Sequence, residues 1–314
     1  MAKYRHRLPQ LDGGVFLTDA GIETTLIFHD GQELPHFAAF HLLRDAEGTE
    51  ALRRYFTRHA RIARDNGMGF ILESATWRSS PDWGEKLGYS PAQLDDVNRR
   101  AIGLMHALRE EFETARSPMV ISGCIGPRGD GYDPGRVMSA EEAQDYHSRQ
   151  ARIFAETEAD LVTAITMTNV PEAIGITRAA QAEGMPVVIS FTVETDGNLP
   201  TGQSLKEAIG AVDEATGKGP AYYMINCAHP SHFEGVLESE AWIQRLKGLR
   251  CNASRLSHAE LDEAEELDDG DPVALGADYR ALRARFPHIN VLGGCCGTDH
   301  RHIEQICHAC KAAA

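Results

Sequence analysis

The chain has 314 residues, 42% of them hydrophobic and 25% charged, with a formal net charge of −15. That length allows one large barrel or two ordinary domains, and the apolar fraction supplies a sizeable core. The acidic balance excludes the basic footprint of a nucleic-acid binder and would be repelled by an anionic membrane surface.

Residues 1–7 are basic, but no apolar stretch follows them, so no secretory signal is expected. The longest apolar runs, such as residues 185–193, are too short to cross a bilayer. Seven cysteines form no regular disulfide framework, and a reducing cytoplasm is the expected location.

The first predicted strand covers residues 15–19 and turns at Gly21, with a helix over about 49–66. In that helix Leu52, Tyr55, Phe56, His59 and Ile62 recur at helical spacing. Strand two is predicted over 69–76, followed by a loop with Trp77 and Trp83. The next helix opens at Ser90-Pro91, a cap with Pro in the first helical position. Strand three covers 119–123, and a Gly-rich loop leads to a helix opened by the capping box Ser139-Ala140-Glu141-Glu142. Strand four spans 160–166, its helix 170–182, and strand five 186–193. A helix is expected from about Ser204, strand six over 222–227, and a helix over about 232–247. Strand seven, the weakest, is placed at 249–253. The acidic stretch 260–271 reads as a solvated loop without a catalytic role. A helix ending near Phe286, a strand over 289–292 and a helix over about 299–311 close the chain.

Eight strand–helix units in one chain of this length predict a (β/α)8 barrel spanning residues 1–314 as a single domain. The runner-up, a doubly wound open sheet, lacks a Gly-x-Gly-x-x-Gly after its first strand. In a barrel the chemistry gathers at the C-terminal strand ends. Cys227 ends strand six, and Cys295 and Cys296 follow strand eight inside Gly293-Gly294-Cys295-Cys296-Gly297. Adjacent cysteines suit a metal better than a disulfide with each other. Cys227, Cys295 and Cys296 are therefore the expected ligands of one Zn²⁺, with a fourth position left open. His229 is a candidate fourth ligand or a loop residue beside the metal. Cys124 and Cys251 are expected to pack on or beside strands. Cys307 and Cys310, a C-x-x-C on the last amphipathic helix, read as packing residues. The competing reading is a structural zinc or redox centre built from Cys295, Cys296, Cys307 and Cys310.

Three thiolates leave the site with a net negative formal charge, which makes the metal a poor Lewis acid for hydrolysis. Such a site is better suited to binding an incoming thiol and holding it as a reactive thiolate. A thiolate of that kind attacks an alkyl group on a cationic donor. A barrel lyase or hydrolase would need His or carboxylate ligands at strand ends, where only His229 offers itself.

These motifs resemble the homocysteine S-methyltransferase family. The resemblance rests on Gly293–Thr298, on Ile225-Asn226-Cys227 and on Asp19-Ala20-Gly21-Ile22-Glu23-Thr24. Ser190-Phe191-Thr192 with Asp196-Gly197, and Ile125-Gly126-Pro127-Arg128-Gly129, extend it along nearly the whole chain. It implies a zinc-dependent S-methyltransferase that methylates homocysteine, giving methionine, or a related thiol. The donor implied for a stand-alone member is a small sulfonium or ammonium compound. Asp19 is implied to help hold the amino-acid substrate, and Glu23, Thr24 and Asn226 belong to the same matched motifs.

After strand four the family usually reads Glu-Thr-x-Pro, its Glu contacting the substrate amine. This chain has Ile165-Thr166-Met167-Thr168-Asn169 there. Either Glu73 or Glu194, both at strand ends, compensates, or the acceptor is a thiol other than homocysteine. Trp77 and Trp83 either form a face for a methylated cation or simply pack. The expected partners are a small thiol and a small methyl donor, with a homo-oligomer possible.

Overall fold

A computed structural model describes residues 2–264 and 266–311. The chain ends of the expected domain, and Glu265 of the acidic stretch, lie outside the described residues. Eight parallel strands close into a barrel in sequential order. They are β1 (Phe16–Leu17), β2 (Gly69–Glu73), β3 (Met119–Ile125), β4 (Leu161–Met167), β5 (Val187–Phe191), β6 (Tyr222–Asn226), β7 (Leu246–Cys251) and β8 (Val291–Gly294). β1 pairs with β2 on one side and β8 on the other, which closes the sheet. The main helices around it are α1 (Ala46–Asn66), α2 (Pro91–Phe112), α3 (Ala140–Ala155), α4 (Val170–Ala182), α5 (Leu205–Thr216), the four-residue α6 (Pro230–Phe233), α7 (Pro272–Arg285) and α8 (His300–Cys310).

Local sequence sets most of these boundaries. Ser90, Ser139 and Ser204 each cap a helix and close a capping box with Gln93, Glu142 and Glu207. The box satisfies first-turn N–H groups that have no partner within the helix. The predicted helix over 232–247 does not form. α6 stops at Phe233, a 3₁₀ turn covers Ala241–Arg245, and β7 begins at Leu246. Leu237 and Ile243 are buried without a helix. Parallel pairing of Leu246 with Tyr223 claims the end of that segment for the sheet.

Side chains alternate between two cores. Phe70, Leu72 and Leu249 face the helices. Phe16, Ile71, Val120, Leu161, Val188 and Tyr222 fill the barrel at its N-terminal end, with Leu8 packed among them. The N-terminal segment crosses that end of the barrel. Arg5 donates to the carbonyls of Ala155, Thr157 and Ala159, and the Tyr4 N–H donates to Asp160. Asp160, fully buried, also pairs with Arg109 at 2.8 Å and accepts from the Ile121 N–H.

Removing one partner of a buried pair strands a charge. Arg109→Ala is expected to lower stability by about 3–5 kcal/mol. A lower urea midpoint at an unchanged m-value checks it.

Candidate active site

The C-terminal ends of β6 and β8 bring three thiols together. The Sγ atoms of Cys227, Cys295 and Cys296 lie within 4.8 Å of one another. Cys227 and Cys295 stand in disulfide contact, their Cα atoms 5.4 Å apart, and Cys296 is free. Two sulfurs of a tetrahedral zinc site lie about 3.8 Å apart, given Zn–S bonds of about 2.3 Å. The 3.9 Å between the Cys227 and Cys296 sulfurs matches that spacing. The donor set thus fits zinc once Cys227 and Cys295 are reduced, because only thiolates ligate.

The backbone beneath the thiols is held in uncommon shapes. Cys227 has φ +54° and Thr166, across from it at a bulge in β4, has φ +65°. Such residues are strained by on the order of 1–3 kcal/mol and persist where their surroundings enforce them. Asn226 supplies the enforcement. Its Oδ1 accepts from the Thr166 N–H at 2.9 Å and from Ser190 Oγ at 2.6 Å, and its Nδ2 donates to Thr166 Oγ1. The Cys227 carbonyl accepts from His258 Nε2 at 2.6 Å. On the β8 side, Gly297 has φ +77° and donates its N–H to Thr24 Oγ1. A Cβ at Gly21 would collide with the Cys295 carbonyl, so glycine lets the β1 turn approach the cysteine loop. Tyr132 O–H lies 3.1 Å from Cys296 Sγ and stacks on His258. Burial pushes the Cys296 thiol up, and its hydrogen bond with Tyr132 opposes that shift.

The thiols open on a cavity of about 440 Å³. Inside the barrel, Arg250 of β7 pairs with Asp19 at 2.8 Å and Glu73 at 3.3 Å. It also donates to the carbonyls of Ala20 and Gly294. Burial pulls its pKa down, but the charges of Asp19 and Glu73 outweigh that and hold it above the ordinary value. Burial drives Glu73 up to about 7, against the pull of Arg250 and of its bond from Ser122.

The family described as Homocysteine S-methyltransferase matches residues 16–310. The chain belongs to the homocysteine S-methyltransferase family. It is 23% identical to Homocysteine S-methyltransferase 4 of Zea mays, over 96% of this chain and 91% of that protein. It is 26% identical to a Selenocysteine Se-methyltransferase of Brassica oleracea var. italica, over 75% of this chain and 73% of the other. The metallated form of the Homocysteine Methyltransferase MmuM from Escherichia coli shares the fold with TM-score 0.72 at 19% identity, covering 97% of this chain and 99% of that one. Its oxidized form aligns with TM-score 0.71 at 19% identity, over 93% and 94%.

Against this family frame, the residues singled out in the sequence fall into three groups. Asp19, Glu23, Thr24, Glu73 and Trp77 line the cavity with the three cysteines. Asn226 lies behind the thiols as their brace. Glu194 is not among the cavity-lining residues, and its Oε1 lies 3.1 Å from His258 Nδ1. Ile165, where the family usually has Glu, lines the cavity with its aliphatic side chain. His229 caps α6 through the Ser231 N–H and is no member of the thiol cluster. Cys307 meets Met68 at 3.7 Å, and with Cys310 it is buried on α8, so the four-cysteine centre is not assembled. The Trp83 ring carries two of the protein's own cations, with Arg78 and Lys86 each 3.8 Å from its centroid. The Trp77 ring faces Arg78 at 4.0 Å, so both tryptophans pack on the protein's own cations, the second of the two readings.

The acidic stretch is not a detached solvated loop. A short helix, His258–Asp262, starts it, and Leu261, Asp262, Glu266 and Asp268 help wall the cavity. Asp268 is anchored by Ser254 Oγ at 2.5 Å. Sequence reasoning also passed over Arg250, Arg78 and Tyr132. Arg250 left a signal, because a charged residue interrupts the otherwise apolar Leu249–Cys251 run.

Glu73 titrates near 7 when folded, above its ordinary 4.5. The stability it contributes is therefore complete below about 4.5 and is lost as pH rises to about 7. Stability is expected to decline over that window by at most about 1.4 kcal/mol per pH unit from this group. Denaturation at several pH values should show a flatter slope for Glu73→Gln.

Proposed function

We propose that this protein is a zinc-dependent S-methyltransferase that moves a methyl group from a small sulfonium or ammonium donor to homocysteine or a related thiol. The observation that carries this reading is the cluster of three thiols within 4.8 Å at the C-terminal rim of the barrel, open to the cavity. Family membership supports it. Cys227, Cys295 and Cys296 would hold the metal. Zinc in that set binds a thiol, lowers its pKa and keeps it as a thiolate.

The protein's own residues prepare the reaction around that thiolate. Asn226 and His258 hold Cys227 in its left-handed backbone, so its sulfur stays aimed at the rim. Tyr132 restrains Cys296. The cavity confines acceptor and donor together, which converts a bimolecular encounter into a positioned one. Overall, a sulfur–methyl bond forms as the donor's carbon–sulfonium or carbon–ammonium bond breaks. The bonding pair returns to the donor heteroatom, and the acceptor's thiol proton is released.

Single Ala substitutions at Cys227, Cys295 and Cys296 should each abolish zinc retention and methyl transfer together, in reducing buffer. X-ray absorption on reduced wild-type protein should find one zinc with three sulfurs, and a fourth on adding homocysteine. A variant fully active without zinc would refute the reading. Three sulfurs that stay three would move the acceptor to another thiol.

A further inference from the structure

Three thiolates beside a cavity for an alkyl donor raise a question of selectivity, because each of them is itself a nucleophile. Alkylating a ligand cysteine would turn its thiolate into a neutral thioether and end its service to the metal. All three cysteines line the cavity, but Cys227 is buried whereas Cys295 and Cys296 are half-buried. The two half-buried sulfurs are the ones a donor in the cavity can reach.

The three sulfurs do not have the same neighbours. Among the described residues, the closest side-chain donor to any of them is Tyr132, whose hydroxyl lies 3.1 Å from Cys296 Sγ. Asn226 Nδ2 is 3.9 Å from Cys295 Sγ, too long for a strong bond. A thiolate carries no proton and a phenol is neutral at pH 7, so between Tyr132 and a ligating Cys296 the O–H donates. The phenol is held from several directions. Its ring stacks on His258, centroids 4.0 Å apart and planes within 16°. His258 is itself fixed by the Cys227 carbonyl and Glu194. Within the loop after β3, the Tyr132 N–H donates to Asp130 Oδ1 at 2.8 Å. A Cβ at Gly131 would lie 3.1 Å from the Trp77 ring and 3.3 Å from Thr166 Cγ2, so glycine lets this loop lie close over the cavity. At the root of the loop the Arg128 N–H donates at 2.8 Å to Glu172 of α4, which is paired with His147.

We propose that Tyr132 is a positioning residue that protects the thiol centre: its O–H donates to the Cys296 thiolate and damps it as a nucleophile, so that an incoming thiol, and not Cys296, is the sulfur alkylated in the cavity. This deepens the proposed function and rests on it. A charge-assisted O–H···S bond occupies a sulfur lone pair and draws electron density from it.

The test is alkylation by iodoacetamide of reduced protein held in excess zinc, with no methyl donor and no free thiol present, the modified cysteines being mapped by peptide mass. In this step a sulfur–carbon bond forms as the carbon–iodine bond breaks, and iodide leaves with the bonding pair. Tyr132→Phe keeps the ring that stacks on His258 and removes only the O–H. It should raise the rate at Cys296 by on the order of 10-fold, the lower range of a charge-assisted hydrogen bond. Zinc content and the rates at Cys227 and Cys295 should stay as in wild type. Tyr132→Leu, which also removes the stack, should raise the Cys296 rate at least as much. An unchanged Cys296 rate in zinc-loaded Tyr132→Phe overturns the proposal, whatever the Leu variant does. An equal rise at all three cysteines with loss of zinc also overturns it, since the phenol would then serve metal retention alone. Both of those results leave the methyltransferase reading standing. Wild-type protein that takes up no zinc would bring down both.

Discussion

Closure of the sheet is the constraint from which the site follows. β1 contributes only Phe16 and Leu17 to the ladder, yet it pairs with both β2 and β8. That closure puts the ends of β6 and β8 on one rim with β7 between them. Cys227 and Cys295 are 68 residues apart in sequence and 5.4 Å apart at Cα. The same closure sets the turn after β1 against the cysteine loop, where Gly21 and Thr24 meet Cys295 and Gly297. Because β1 is so short, that contact carries much of the seam at the active end.

Inside the barrel the layers differ in chemistry. The N-terminal end is apolar and sealed by Leu8 and the first residues of the chain. Toward the C-terminal end, Glu73, Ser122, Thr163 and Arg250 turn inward and bond to one another. A buried arginine between two carboxylates is a poor source of net stability, since desolvation offsets much of the attraction. It does give the floor of the cavity a fixed arrangement of charge. Polar groups already satisfied within the protein do not compete for substrate.

The acidic segment around residues 258–268 and the loop from β3 extend this organisation outward. His258 links Glu194, the Cys227 carbonyl and the Tyr132 ring. Tyr132 in turn reaches Cys296. Two loops far apart in sequence thus brace two of the thiols. The negative charge of Asp262, Glu266 and Asp268 at the cavity wall favours the approach of a cation from that side.

The amino-acid sequence by itself determined the alternation of strands and helices, most helix caps and the three cysteines as a set. These are local signals: apolar runs, Ser-x-x-Glu boxes and Gly-flanked thiols carry their meaning within a few residues. The predicted helix over 232–247 failed because the buried Leu237 and Ile243 sit outside any helix and pairing with β6 took Leu246. The roles of the cavity's charged residues were not legible either. Asp19, Glu73 and Glu194 look alike as strand-end carboxylates, and each is distinguished only by its partner: Arg250 for the first two, His258 for the third. Those partners come from elements far along the chain, so which partner each carboxylate takes is decided by closure of the barrel.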